Sequence, residues 1–171
     1  MPPEESEELE LKASRWLPFS ADQVWTACST KGGLERWWSP EDLRTIVRRL
    51  EVRPGGGVVF RIRYVPALLT KDSAEAFRAA RIPIAFDMRG VLSEVIVERL
   101  LTFDLTLDLG KAGSGVKTIT KIELTPEGEG TRVNLIARGI GTPHWRTLGR
   151  QNLEAQLERL ERAAESFRAS R

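Results

Sequence analysis

TPHWRTLGRQNLEAQLERLERAAESFR, residues 142–168, is the stretch that decides the fold. Its opening Thr142-Pro143 reads as an N-cap followed by proline at the first helical position, where the fixed φ is suitable and the missing N–H costs nothing. At about 100° per residue, Trp145, Leu148, Leu153, Leu157, Leu160, Ala164 and Phe167 fall on one half of the wheel. Arg150, Glu154, Glu158, Glu161 and Glu165 fall on the other. A long helix with one apolar side must lie on an apolar surface, and the preceding chain has to supply it.

That chain reads mostly as strands. Leu9, Leu11 and Ala13 alternate with Glu10, Lys12 and Ser14, the period of two of a half-buried strand that ends near Pro18. Ile46, Leu50 and Val52 lead into Pro54-Gly55-Gly56-Gly57, where proline presets one φ angle and glycine accepts a positive one. Val58, Phe60, Ile62 and Tyr64 return on alternate positions, which makes a hairpin. Runs at about 84–97, 99–109, 116–125 and 131–138 complete six strands, joined by turns at Gly110–Gly115 and Glu127–Gly130. Between Pro66 and Pro83 the pattern breaks, and Lys71–Arg81 is rich in helix formers. Residues 66–83 are therefore read as a helical insertion whose Leu68, Leu69 and Phe77 need cover.

Two short helices separate the first strand from the hairpin. Ser20 with Gln23 forms a capping box, and Phe19 can staple onto Val24. Ala21, Val24, Trp25 and Cys28 give one apolar stripe, with Gly32 or Gly33 placed to close the helix in a left-handed conformation. Leu34, Trp37 and Trp38 repeat the spacing until Ser39-Pro40 stops it. The order is strand, two helices, six strands, long helix. It describes one α+β domain over residues 7–168, after an acidic and disordered tail at 1–6.

Composition narrows the function. With 26 basic and 24 acidic residues the net charge is +2, so the field that drives non-specific nucleic-acid binding is missing. Arg49, Arg53, Arg61 and Arg63 share the outward face of the hairpin, but the aromatics alternate to the other face, and Glu51 among them fits a solvated surface. No nucleic-acid partner is expected. The single cysteine, Cys28, excludes an intramolecular disulfide and a multi-cysteine metal site. The N-terminus lacks a secretory pattern, and no apolar run reaches the ~18 residues of a membrane span, so a cytoplasmic domain is expected. Catalytic signals are weak. His144 is the lone histidine and sits in the first turn of the last helix on its polar side. Cys28 belongs to a packed stripe, RPGGG joins two strands rather than opening a helix, and Asp87, Glu94, Asp104 and Asp108 fall mostly on outward positions. The residues point to no catalytic group, no metal and no cofactor.

The joints of the chain carry a resemblance. Phe19-Ser20-Ala21 with Val24-Trp25, Leu34-Glu35-Arg36-Trp37-Trp38-Ser39-Pro40, Glu51-Val52-Arg53-Pro54-Gly55-Gly56 and Gly130-Thr131-Arg132-Val133 together resemble the START-like (SRPBCC) superfamily. Within it they are most similar to homologues of the activator of the 90-kDa heat-shock protein ATPase. Glu51 stands where members usually carry aspartate, and Pro66–Pro83 is longer than the usual connection. The resemblance implies a helix-grip fold, in which a curved antiparallel sheet of about seven strands wraps around the long C-terminal helix. It also implies a ligand cavity between sheet and helix.

The cavity reading selects particular residues. Neighbouring helical residues point about 100° apart, so one of Trp37 and Trp38 is expected in the core against Trp25 and the other at the wall or mouth of the cavity; alternatively both pack under the sheet edge. Phe60, Ile62, Tyr64, Phe86, Met88 and Phe103, with Leu105, Leu135 and Ala137, are the inward strand positions. On the long helix, Trp145, Gly149, Asn152 and Gln156 fall within the apolar face. A glycine there costs about 1 kcal/mol in helix propensity, and an unpartnered buried amide about 1–3 kcal/mol. Either Gly149 leaves room for a ligand that Asn152 and Gln156 hydrogen-bond, or the amides bond to protein backbone and glycine permits close packing. The expectation is a non-catalytic domain binding a small apolar or amphipathic molecule. The alternatives are a co-chaperone-like module that binds a protein, and an enzyme of the polyketide cyclase or aromatase type.

Overall fold

The computed structural model describes residues 7–39, 43–65, 75, 85–108, 114–141 and 143–168. Seven strands form one sheet: Glu7–Leu17 (β1), Leu43–Leu50 (β2), Gly56–Tyr64 (β3), Ala85–Ile96 (β4), Leu100–Asp108 (β5), Ser114–Glu127 (β6) and Gly130–Gly141 (β7). Among the described residues the helices are Ala21–Ser29 (α1), Lys31–Trp37 (α2) and Pro143–Arg168 (α3). The order β1-β7-β6-β5-β4-β3-β2 is antiparallel throughout, so the first and second strands are the two edges. Bulges between Val47 and Arg49, Leu92 and Glu94, and Leu107 and Asp108 each add local twist, and the sheet curves toward α3. The expected tail at 1–6 lies outside the described residues, as does the expected insertion at 66–83 apart from Glu75.

α3 grips the concave side. Leu153, Leu157, Leu160, Ala163 and Ala164 are buried against β1, β7, α1 and α2, while Glu154, Glu158 and Glu165 are exposed. This is the amphipathic split read from the sequence. Glu161, placed there on the polar side, meets Arg15 of β1, whose Nη2 lies 2.8 Å from its carboxylate. The hairpin turn is also as expected, with Gly55 at φ 77° between β2 and β3.

The junction between α1 and α2 departs from expectation. Neither Gly32 nor Gly33 closes α1; both lie in the first turn of α2. Thr30 takes the job. Its extended backbone ends α1, and its Oγ1 accepts from the Gly33 N–H at 3.1 Å while donating to the Thr26 carbonyl at 2.7 Å. Gly33 serves contact instead, because a Cβ there would stand 2.3 Å from the Ala27 carbonyl oxygen. The capping box is half made. Ser20 Oγ accepts from the Gln23 N–H at 3.2 Å, but the Gln23 amide donates at 2.8 Å to the Ala164 carbonyl of α3, tying the two helices together.

Candidate functional site

The segment Glu35–Ser39 lies where α1, α2, α3 and the sheet meet, and each of its side chains is occupied. Glu35 reaches the edge strand β2, accepting from the Val47 N–H at 3.0 Å. Arg36 sets its guanidinium 5.6 Å from the centre of the Phe167 ring and bonds to Ser166. Trp37 is fully buried beneath α1 and donates its indole N–H to the Ala27 carbonyl at 2.9 Å. Trp38 turns the other way, onto the sheet, with ring centres 4.9 Å from Phe60 and 4.9 Å from Phe103. Ser39 bonds to Thr45 of β2.

Both indoles are therefore core. They do point apart, as helical geometry requires, but α2 is covered on both sides, by α1 and by the sheet. Trp37 is the one that enters beneath α1, and its buried indole N–H finds an acceptor in the Ala27 carbonyl of that helix. Gln156 explains the amide on the apolar face. Its Nε2 donates at 2.7 Å to the Trp38 carbonyl, and Arg159 Nε one turn on donates at 3.3 Å to the Trp37 carbonyl. Two side chains of α3 thus satisfy the last carbonyls of α2, which have no partner within their own helix. Asn152, expected beside Gln156 on the inner face, is exposed. It lies four residues earlier, where α3 turns that position past the edge of the contact.

The inner face of the sheet is sealed at one end and open at the other. Phe60, Ile62 and Phe103 are buried as expected, with Leu92, Leu101, Leu105, Ile122 and Leu135. The strand register continues the inward face to Thr118 and Thr120, which lie opposite Leu105 and Phe103, and on to Gly139 and Ala137. Here burial falls. Phe86, Met88, Leu107, Thr118, Thr120 and Ala137 are all only half-buried, although each lies on the concave side. None of the six is charged, and the two threonines supply its hydroxyls. Glycines at 90 and 139 add no side chain to the same rows. The side chains of Tyr64 and Trp145 and the surroundings of Gly149 lie outside the described residues, as does that of His144.

Thr118 and Thr120 were not singled out from the sequence. Their signal was present: VKTITKIEL places Val116, Thr118, Thr120, Ile122 and Leu124 on one face by strict alternation. Threonine at an inward position simply reads as an ordinary strand residue until the cross-strand partners are known.

The outer face is polar and paired. Asp87 accepts from Arg61 at 3.1 Å and Arg89 at 2.7 Å; burial raises its pKa, but the two guanidinium bonds outweigh this and hold it below the usual aspartate value. The Arg49 bond, aided by Arg53, likewise lowers the carboxyl of Glu51. Burial pushes the Cys28 thiol far above its normal range, so it is no nucleophile. Among the described residues, no group of three or more His, Cys, Asp or Glu is placed to hold a metal. Nor is any described helix long and apolar enough to cross a membrane.

Solved structures match this architecture over nearly the whole chain. A protein of Chromobacterium violaceum superposes with a TM-score of 0.70 at 18% identity, covering 91% of this chain and 96% of its own. The chain has the START-like helix-grip fold. A Nitrosomonas europaea protein gives 0.67 at 22% identity, over 94% and 97% of the two chains. An AHSA1-like protein from Aeromonas hydrophila gives 0.64 at 18%, over 92% and 93%. No family model and no curated protein matches the sequence. At such identities, the helix-grip likeness fixes the architecture and leaves the ligand to be argued from the side chains.

Proposed function

We propose that this START-like chain is a non-catalytic binding domain holding a small, neutral, apolar or amphipathic molecule between the concave sheet and the N-terminal half of α3. One observation carries the reading: toward one end of β4 to β7 the inner positions lose burial, at Met88, Leu107, Thr118, Thr120 and Ala137, while Phe60 opposite Met88 and Phe103 opposite Thr120 stay buried against Trp38. A space with an aromatic floor, aliphatic walls and two hydroxyls suits a molecule with one polar end. In this arrangement Trp38 and Gln156 act as floor and brace, the latter without touching ligand.

Titration with a neutral lipophilic fluorophore tests the proposal. Saturable binding is expected, with quenching of tryptophan emission, and Ala137→Phe is expected to abolish it while the protein stays folded. Absence of saturable binding, or unchanged binding by the Ala137→Phe protein, would refute it. A second reading, the protein-interaction module, draws on Ile96 and Val97, which are 56% and 68% exposed at the β4–β5 turn. Their replacement by serine would remove a partner without affecting the fluorophore.

A further inference from the structure

The two edges of the sheet are treated differently. β2 carries a bulge between Val47 and Arg49, is packed by α2, and has its Val47 N–H taken by the Glu35 carboxylate. These are the devices by which natural sheets block an edge. β1 is packed by α3 on its inner face but, among the described residues, has no bulge. Its eleven residues run in unbroken register with β7, from Glu7 opposite Gly141 to Leu17 opposite Thr131. Among the described residues no turn or loop backbone bonds to it. Among the described residues, one side of this strand therefore presents N–H and C=O groups without strand partners.

We propose that β1 pairs antiparallel with β1 of a second copy of this chain, on a two-fold axis through Leu11, joining two sheets into one of fourteen strands. Symmetry restricts the choices. A two-fold axis that adds an antiparallel strand stands perpendicular to the sheet, so inward residues oppose inward residues and the axis passes through a residue. An axis at Glu10 sets glutamate against glutamate, and one at Lys12 sets lysine against lysine. An axis at Leu9 sets Glu8 against Glu10. Through Leu11, Glu10 faces Lys12 on the outer side twice. Acidic residues fill the first half of the strand and basic ones the second, which is what makes the strand complementary to itself in this register. Glu10 and Lys12 are both solvent-accessible; the Glu10 carboxylate already meets Lys12 at 3.1 Å and Arg138 of β7 at 2.6 Å, so the dimer extends an existing row of alternating charge.

One strand pair covers less than the ~800 Å² per partner of a standard interface, so a weak and reversible dimer is expected. Sedimentation equilibrium of the full chain, from about 1 µM to about 1 mM, should show a monomer–dimer equilibrium weakened by salt. Lys12→Glu and Glu10→Lys each place like charges opposite at both symmetric positions and are expected to weaken the dimer roughly tenfold or more. The double swap E10K/K12E restores opposite charges in this register and is expected to return the constant to within about threefold of the original. Thermal melts establish that each variant is folded. A wild-type chain monomeric throughout the range overturns the proposal, as does a K12E protein that dimerises unchanged. A folded double variant that does not recover dimerisation overturns it too.

Discussion

Gln156→Leu removes one hydrogen bond and little volume, so it isolates the contribution of the amide that braces Trp38. The bond is short, at 2.7 Å, and joins the α3 side chain to the C-capping residue of α2. Without it the Trp38 carbonyl stays half-enclosed between two helices. Leaving a buried acceptor unsatisfied costs about 1–3 kcal/mol, and partial solvent access here favours the lower half, about 1–2 kcal/mol. For a domain of this size each kcal/mol moves the midpoint by about 2–4 °C, so Tm should fall by about 2–8 °C. Urea unfolding followed by tryptophan emission should show a lower midpoint with an unchanged slope, since the surface exposed on unfolding is the same. Asn152→Leu is the internal control. Its side chain is exposed, so a change within about 0.5 kcal/mol is expected. Equal effects of the two substitutions, or a Gln156→Leu protein as stable as the parent, would refute the brace.

Gly33→Ala drives a Cβ into the Ala27 carbonyl and should destabilise by about 2 kcal/mol or more, whereas Gly32→Ala, with nothing within 4 Å, should gain up to about 1 kcal/mol of helix propensity; thermal melts compare them. Asp87 is held ionised by Arg61 and Arg89, so its folded pKa lies below its unfolded value near 3.8 and its stabilisation is present above that value. That contribution is lost as pH falls through the folded pKa, and Asp87→Asn should flatten the dependence of Tm on pH below about 4. Cys28, buried with its thiol pKa raised, should resist an aromatic disulfide reagent in the native protein and react at once in guanidinium; rapid labelling of the folded chain would contradict its burial.

Periodicity exposed most of this fold in the sequence. The alternation in Val58–Ile62 and the split face of Leu153–Ala164 are local patterns, and each maps onto one element. What escaped was settled between elements. Gln23 looked like a capping partner because the motif is local, but α3 offered the Ala164 carbonyl. Gly33 looked like a terminator, and only the approach of α1 shows why a side chain is excluded. Asn152 and Gln156 share a spacing that puts them on one face, yet the contact with α2 ends between them. The bulges that curve the sheet have no sequence mark beyond an irregular alternation, so the rows through Thr118 and Thr120 could not be drawn without the register.

The central claim is that the half-buried rows beneath α3 hold a small neutral molecule. Native mass spectrometry of the chain purified from its own cells, without detergent, tests it most directly. A discrete added mass is expected on the parent and not on the folded Ala137→Phe protein, whose larger side chain takes the same space. A bare parent mass in repeated preparations, or an adduct retained in full by Ala137→Phe, would contradict the claim.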